Sequence, residues 1–264
     1  MLKLLRIEFR KQITSSGFWI LIFLHAFVIS LISMNLNSFL KNANIMINDI
    51  PDIDLSLKPI LQFPDVWQNI TYIAGYFKII LALIIISSVS NEFNNATTRQ
   101  NVIDGLSRQE WIFSKIGLAK ILSLFSTLLI VAIGISLGFT QGVHVEISSM
   151  FERLDYVLAY FIELSVYFIY ALFLTLIIKR TGLTIILLLV YDFILEPILS
   201  LSLPDSVSHF LPMNTIDNLN TFPFIKYVEL SEQTVLSTEQ LVWAVGYGIL
   251  FALFSLLIFK KKDL

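Results

Sequence analysis

The chain has 264 residues, of which 56% are hydrophobic and only 14% charged, with a mean hydropathy of +0.78; soluble domains carry about 25% charged residues, and no ordinary soluble core uses this much apolar side chain. Cysteine is absent, which excludes disulfides, thiolate metal centres and cysteine nucleophiles. The net charge of −2 decides little, because in a bilayer the placement of charges matters more than their sum.

At the start, Leu2, Leu5, Phe9 and Ile13 recur at offsets of three and four, with Lys3, Arg6, Arg10 and Lys11 on adjoining faces. Residues 1–16 therefore read as an amphipathic helix lying along a membrane surface, a role compatible with a plain topology signal. A basic stretch ahead of an apolar one also resembles a signal peptide, but no small-residue cleavage site follows Met34. An uncleaved first span over residues 18–34 is expected, with Gly17 letting the chain turn into it.

A span needs about 20 mostly apolar residues to cross about 30 Å of hydrocarbon. Five further runs meet that length: residues 67–90, 116–139, 156–178, 183–203 and 240–259. They must be helices, because lipid offers no partner to an unpaired backbone group and barrel strands would alternate with period two. The expected fold class is all-α: one polytopic membrane domain over residues 1–264, with six transmembrane helices.

Basic residues in the connections set the orientation. Lys3, Arg6, Arg10, Lys11, Arg99, Arg108, Lys115, Lys179, Arg180, Lys260, Lys261 and Lys262 fall on one side, against Lys41, Lys58, Arg153 and Lys226 on the other, where acidic residues such as Asp65, Asp155, Asp217 and Glu239 gather. Both termini are expected in the cytoplasm. Trp19, Trp67, Trp111 and Trp243 all lie near span ends, where indoles favour the headgroup layer. Of the outer segments, the one after residue 203 carries Pro204, Pro212 and Pro223 around short apolar groups, a pattern of brief helices at the outer surface before the last span.

Residues 91–115, NEFNNATTRQNVIDGLSRQEWIFSK, join the second and third spans on the basic side. Ile103, Leu106, Glu110 and Ser114 fall at helical spacing, Gly105 permits a break, and Ser107 can cap a helix that starts at Arg108 with Glu110 in its first turn. A short surface helix followed by a second helix leading into the span is the simplest geometry. Its mixture of apolar, acidic and basic residues suits docking to another protein; a polar connection without a partner is the plainer alternative.

Inside the spans lie His25, Lys78, Glu163, Asp192 and Glu196, where an unpaired charge costs about 2.5–3.5 kcal/mol. At 1.5 Å per residue, Lys78 and Asp192 each sit about 16 Å, and Glu163 about 10 Å, from the outer ends of their spans. A Lys78 pair with Asp192 or Glu163 is expected. Asp192 and Glu196, four apart, share a helix face, and Pro197 can bend the helix beyond them. These groups either line a pathway or fix packing. His25 reads as an interhelical hydrogen-bond donor, with no metal constellation around it. Gly134 with Gly138, and Ala244 with Gly248, form small-xxx-small pairs that would let helices approach closely.

Together these features resemble the permease subunit of an ATP-binding-cassette transporter of the type-2 exporter class, over nearly the whole chain. The sharpest local match is Glu92 closing the second span, then Thr98-Arg99-Gln100, Asp104-Gly105-Leu106-Ser107-Arg108 and Lys115; Leu211-Pro212-Met213-Asn214 is a weaker one. The resemblance implies a subunit of a bacterial cytoplasmic (inner) membrane that forms the pathway while a separate ATPase holds ATP and Mg and docks on Glu92, Arg99, Asp104, Gly105, Arg108, Glu110 and Lys115. It also implies a second permease subunit, identical or related, and a hydrophobic or amphipathic export substrate. No catalytic residue, cofactor, metal or nucleic-acid partner is expected for the chain itself: it contains no GxxxxGK[ST] phosphate loop, HExxH or GxSxG. The alternative is a proton- or cation-coupled secondary transporter or channel using Glu163, Asp192 and Glu196; an intramembrane enzyme ranks last.

Overall fold

The computed structural model of the chain describes residues 2–46, 60–95, 97–103, 105–141, 147–221, 223 and 237–261. Its elements in chain order are α1 (Leu2–Ile13), α2 (Ser16–Met46), α3 (Val66–Gly75), α4 (Lys78–Asn94), α5 (Thr97–Ile103), α6 (Arg108–Gln141), α7 (Ile147–Phe151), α8 (Asp155–Ile178) and α9 (Thr181–Val190). A single π-helical turn, Tyr191–Leu195, follows, then α10 (Glu196–Ser202), α11 (Asp205–Ser208), α12 (Pro212–Asp217) and α13 (Thr238–Lys261). No strand occurs among the described residues. Five helices are long and apolar enough to cross a membrane, and the bent pair α3–α4 makes a sixth candidate span.

The helices form a bundle around α8, which packs against α3, α4, α6, α9 and α13 and buries Tyr160, Leu164, Tyr167, Phe168 and Leu172 completely. The outward faces are also apolar: Phe23, Ile186, Phe193, Leu201, Val242 and Leu253 are all more than half exposed. Such a surface is a liability in water and the ordinary state of a helix in lipid, so the chain is a multi-pass membrane protein.

Several expectations need correction. The run 67–90 is not one helix: it breaks at Tyr76–Phe77 with a 44° bend, where amides reach back only three residues (Phe77 to Ala74 O, 3.0 Å; Ile80 to Phe77 O, 3.2 Å). The turn before the first span falls at Thr14–Ser15, ahead of Gly17, and the Trp19 indole donates to Ile13 O at 2.8 Å to close α1. Trp67 and Trp111 are not lipid-interface anchors but core residues, 0% and 1% exposed, each with its indole N–H satisfied inside the protein. Only Trp19 and Trp243 are exposed. Brief helices do follow residue 203, but α12 sinks into the bundle, burying Met213, Thr215 and Ile216 against α8 and α13.

The small residues divide in role. Ala244 and Gly248 face α8, beside Ala159 and Val166, so there two helices do approach closely. Gly134 and Gly138 instead receive the rings of Trp67 and Phe63: a Cβ added at Gly134 would stand 2.5 Å from the Trp67 ring. Trp67 cannot retreat without losing its bond to Met150 O. Gly134→Ala is expected to cost about 1–3 kcal/mol by overpacking and to lower the melting temperature in detergent by several degrees. Gly182→Ala, where no atom lies within 4 Å, leaves it unchanged. Equal melting curves for the two variants would contradict this packing.

Candidate functional site

Two clusters of charged side chains are buried in the bundle. The first lies at the end where the basic segments meet. Along α1 the apolar stripe Leu5, Phe9 and Ile13 packs on the start of α6, so close that a Cβ on Gly117 would meet Leu5 Cδ1 at 2.5 Å. Glu8 lies between Leu5 and Phe9 and is carried inward with them, to 4% exposure. There it meets Lys115 of α6, which is fully buried. The Lys115 ammonium donates to Glu8 Oε1 at 2.5 Å, Glu92 Oε1 at 2.8 Å and Ser88 Oγ at 2.9 Å, which uses all three of its protons.

The network closes on itself. Ser88 Oγ donates to Glu8 Oε1 at 3.1 Å and accepts from Gln12 Nε2 at 2.8 Å. Glu92 Oε2 accepts from the Trp111 indole at 2.7 Å, and Lys11 stands 3.4 Å from Glu92 and 3.8 Å from Glu8. Trp111 stacks on Phe259 at 4.5 Å, and Arg108 Nη1 donates to the carbonyls of Phe259 (3.2 Å) and Lys260 (2.6 Å), at the C-terminal end of α13. Thus α1, α4, α6 and α13 are tied together at one end of the bundle.

On this mount stands the loop. Gly105 takes a φ of +96°, open to glycine at little cost. Ser107 and Glu110 then form a reciprocal cap: the Glu110 amide donates to Ser107 Oγ at 3.2 Å and the Ser107 amide to Glu110 Oε2 at 3.0 Å. So α5 is present and α6 starts at Arg108, as the spacing suggested. Ile103, at the end of α5, is 68% exposed.

The seven loop positions separate accordingly. Glu92 and Lys115 are buried and hold the mount together rather than offering a contact surface, and Arg108 is turned toward α13. Gly105 and Glu110 lie on the water-facing side. Arg99 belongs to α5, but its side chain, like all of Asp104, lies outside the described residues.

The second cluster lies deep in the bundle, at the α3–α4 break. Gly75 allows it: a Cβ there would meet Glu163 Oε1 at 2.7 Å. Lys78 opens α4, 5% exposed, and pairs with Glu163 at 3.2 Å and with Asp217 of α12. Glu163 Oε2 accepts from Asn220 Nδ2 at 2.8 Å, and the Lys78 ammonium lies 4.8 Å from the centre of the Tyr167 ring. Of the two partners expected for Lys78, Glu163 is the one in contact. Asp192, inside the π turn, instead accepts from the Tyr167 hydroxyl at 3.1 Å. Glu196 Oε1 accepts from the Asn214 amide at 2.5 Å. His25 is bonded to Ser126 Oγ at 2.8 Å, which in turn bonds the Tyr160 hydroxyl at 2.8 Å; it stitches α2, α6 and α8.

Glu8 and Asp217 are the residues that sequence reasoning missed. Glu8 interrupts an apolar stripe at helical spacing, and Asp217 follows Met213 and Ile216 on a short helix opened by Pro212. In both cases the signal was an acid one position from a buried face.

A family model described as a protein of unknown function, DUF2705, matches residues 31–264. A search of curated proteins returned no match.

Proposed function

The chain belongs to the DUF2705 family of proteins of unknown function, and from its own geometry we propose that it is the membrane-spanning permease subunit of an ATP-driven transporter of the type-2 exporter class. The observation that carries this reading is the loop on its mount. A short helix, α5, packs on the end of α4 with Ile103 outward, and the Gly105 turn leads from it into an α6 that runs unbroken for 34 residues, about 51 Å at 1.5 Å per residue, against about 30 Å of hydrocarbon. The first turns of α6 therefore stand beyond the membrane and are continuous with the span. A push on α5 passes into α4, on which it packs, and into α6 through the Gly105 turn, and the buried network carries it to α1 and α13 as rigid-body movement.

In this reading the basic end is cytoplasmic, by the excess of Lys and Arg there, in a bacterial inner membrane. A separate ATPase subunit, holding ATP and Mg, docks on α5 and the Gly105–Glu110 turn, with the exposed Ile103 as its apolar anchor. A second permease subunit completes the pathway, and the cargo is hydrophobic or amphipathic.

Ile103→Glu tests the docking. At an exposed position the change is expected to move stability by no more than about 0.5 kcal/mol, while a charged side chain placed in an apolar contact abolishes co-purification of the ATPase. Affinity purification from native membranes in mild detergent, alongside a melting curve, checks both. An ATPase retained at wild-type stoichiometry would contradict the assignment.

A further inference from the structure

The apolar stripe of α1 is spent on the bundle, since Leu5, Phe9 and Ile13 pack there rather than on acyl chains, and Glu8, the one acid of α1, is buried with them. What α1 turns outward is cationic: Lys3, Arg6, Ile7 and Arg10 share one helix face and are all exposed. Among the described residues no carboxylate pairs with Lys3, Arg6 or Arg10, whereas Lys11, Lys78 and Lys115 each have acidic partners. Lys120 of α6 is a fourth exposed cation with no such pair. It stands one turn beyond Gly117, on which Leu5 of α1 is seated, and shares an outward stripe with Leu124 and Leu128, 50% and 58% exposed. The only acid of α6 is Glu110, in its first turn, about 15 Å from Lys120 along the axis at 1.5 Å per residue.

The length of α6 fixes the depth of these cations. Lys120 lies about 32 Å from the far end of the helix at Gln141, so a hydrocarbon layer of about 30 Å that ends near Gln141 begins at Lys120. Its ammonium therefore sits at headgroup level with the apolar stripe running on into the acyl chains. Trp19 puts α1 at the same level: its indole closes α1 on Ile13 O, its ring is exposed, and the exposed Ile20 and Phe23 of α2 follow it, the pattern of an indole in the headgroup layer. We propose that the outward face of α1 and Lys120 together bind the phosphate of an anionic phospholipid, whose acyl chains lie along Leu124 and Leu128. Cations without counter-charges on the line where headgroups begin select a lipid with a net negative head. An acidic protein surface would match α1 but not Lys120, which opens onto an apolar stripe. The inference needs only the multi-pass fold and not the permease reading, so it is tested on the isolated chain.

The full chain in dodecyl maltoside is titrated with phosphatidylglycerol and with phosphatidylcholine of the same acyl chains, and bound lipid is counted by native mass spectrometry. Phosphatidylglycerol is expected to bind saturably and at least tenfold more tightly. Arg6→Gln and Lys120→Gln each weaken it about fivefold, the loss expected for one cation beside an anionic headgroup, and leave phosphatidylcholine unchanged. Arg180→Gln, which removes an exposed cation on neither helix, stays within twofold. Glycerol 3-phosphate, the anion without the chains, does not displace the lipid at equal concentration. Equal affinity for the two lipids, displacement by glycerol 3-phosphate, a loss in Arg180→Gln as large as in Lys120→Gln, or unchanged affinity in the folded Arg6→Gln and Lys120→Gln variants overturns the proposal. So does the loss of a co-purifying protein from native membranes in those two variants with phosphatidylglycerol binding intact, which would mark the face as a protein-docking surface. The comparison of the two lipids decides the matter even where a variant fails to fold.

Discussion

Lys115→Met is expected to be the most disruptive single substitution in the chain. It removes the fully buried ammonium between Glu8 and Glu92, which are 4% and 8% exposed, and leaves the half-exposed Lys11, 3.8 Å from Glu8 and 3.4 Å from Glu92, as their remaining counter-charge. Breaking a buried pair by removing one partner costs about 3–5 kcal/mol, a large share of the roughly 5–15 kcal/mol that keeps a domain folded. The variant should lose monodispersity in detergent and melt well below the parent chain. The same reasoning predicts a partial rescue: Glu8→Gln combined with Lys115→Met should be less damaged than Lys115→Met alone, because one orphaned carboxylate is gone. Strictly additive losses would mean that the two residues do not act on each other.

Lys78→Met is expected to be the next most severe, with a different signature. Glu163 would keep its Asn220 donor, and Asp217, with a side chain 48% exposed, can turn to water, so the cost falls toward the lower end, about 3 kcal/mol. What the substitution releases is α12, which Asp217 and Asn220 hold against the α3–α4 break and α8. Amide hydrogen exchange over residues 205–221 should accelerate by an order of magnitude or more, while the Glu8–Lys115 end is unchanged. Unaltered exchange in that segment would show that α12 is held by its apolar contacts, Met213 and Ile216, rather than by the ion cluster.

Both predictions turn on residues whose partners lie far away in sequence, and this separates what could be read from the chain from what could not. The spans were legible because a run of about 20 apolar residues has few other uses. The loop was legible because Gly105, Ser107 and Glu110 act on their immediate neighbours, and each does in the structure what its local chemistry suggests. The break at Tyr76–Phe77 was hidden because every residue from Ile79 to Ile86 keeps the apolar run going; Gly75 beside it leaves room for Glu163 of α8, which a Cβ would meet at 2.7 Å, and only the fold brings the two together. Trp67 and Trp111 have the composition of interface anchors and the surroundings of a core, set by Gly134 and by Glu92. Glu8 and Asp217 sat in segments assigned to membrane surfaces, where acids are ordinary, and only the fold brings them to Lys115 and Lys78.

In the permease reading these pieces form one arrangement: a short helix at the basic end, a buried ionic mount that ties the bundle together beneath it, and a second ion cluster deeper in the same helices. Its most direct test is isolation of the complex from native membranes, with the co-purifying subunits identified and ATP hydrolysis measured after reconstitution into proteoliposomes. A co-purifying subunit with a phosphate-binding loop and ATP hydrolysis by the complex, both lost with Ile103→Glu, is the expected result. A folded chain that is isolated from those membranes without any such subunit would contradict it.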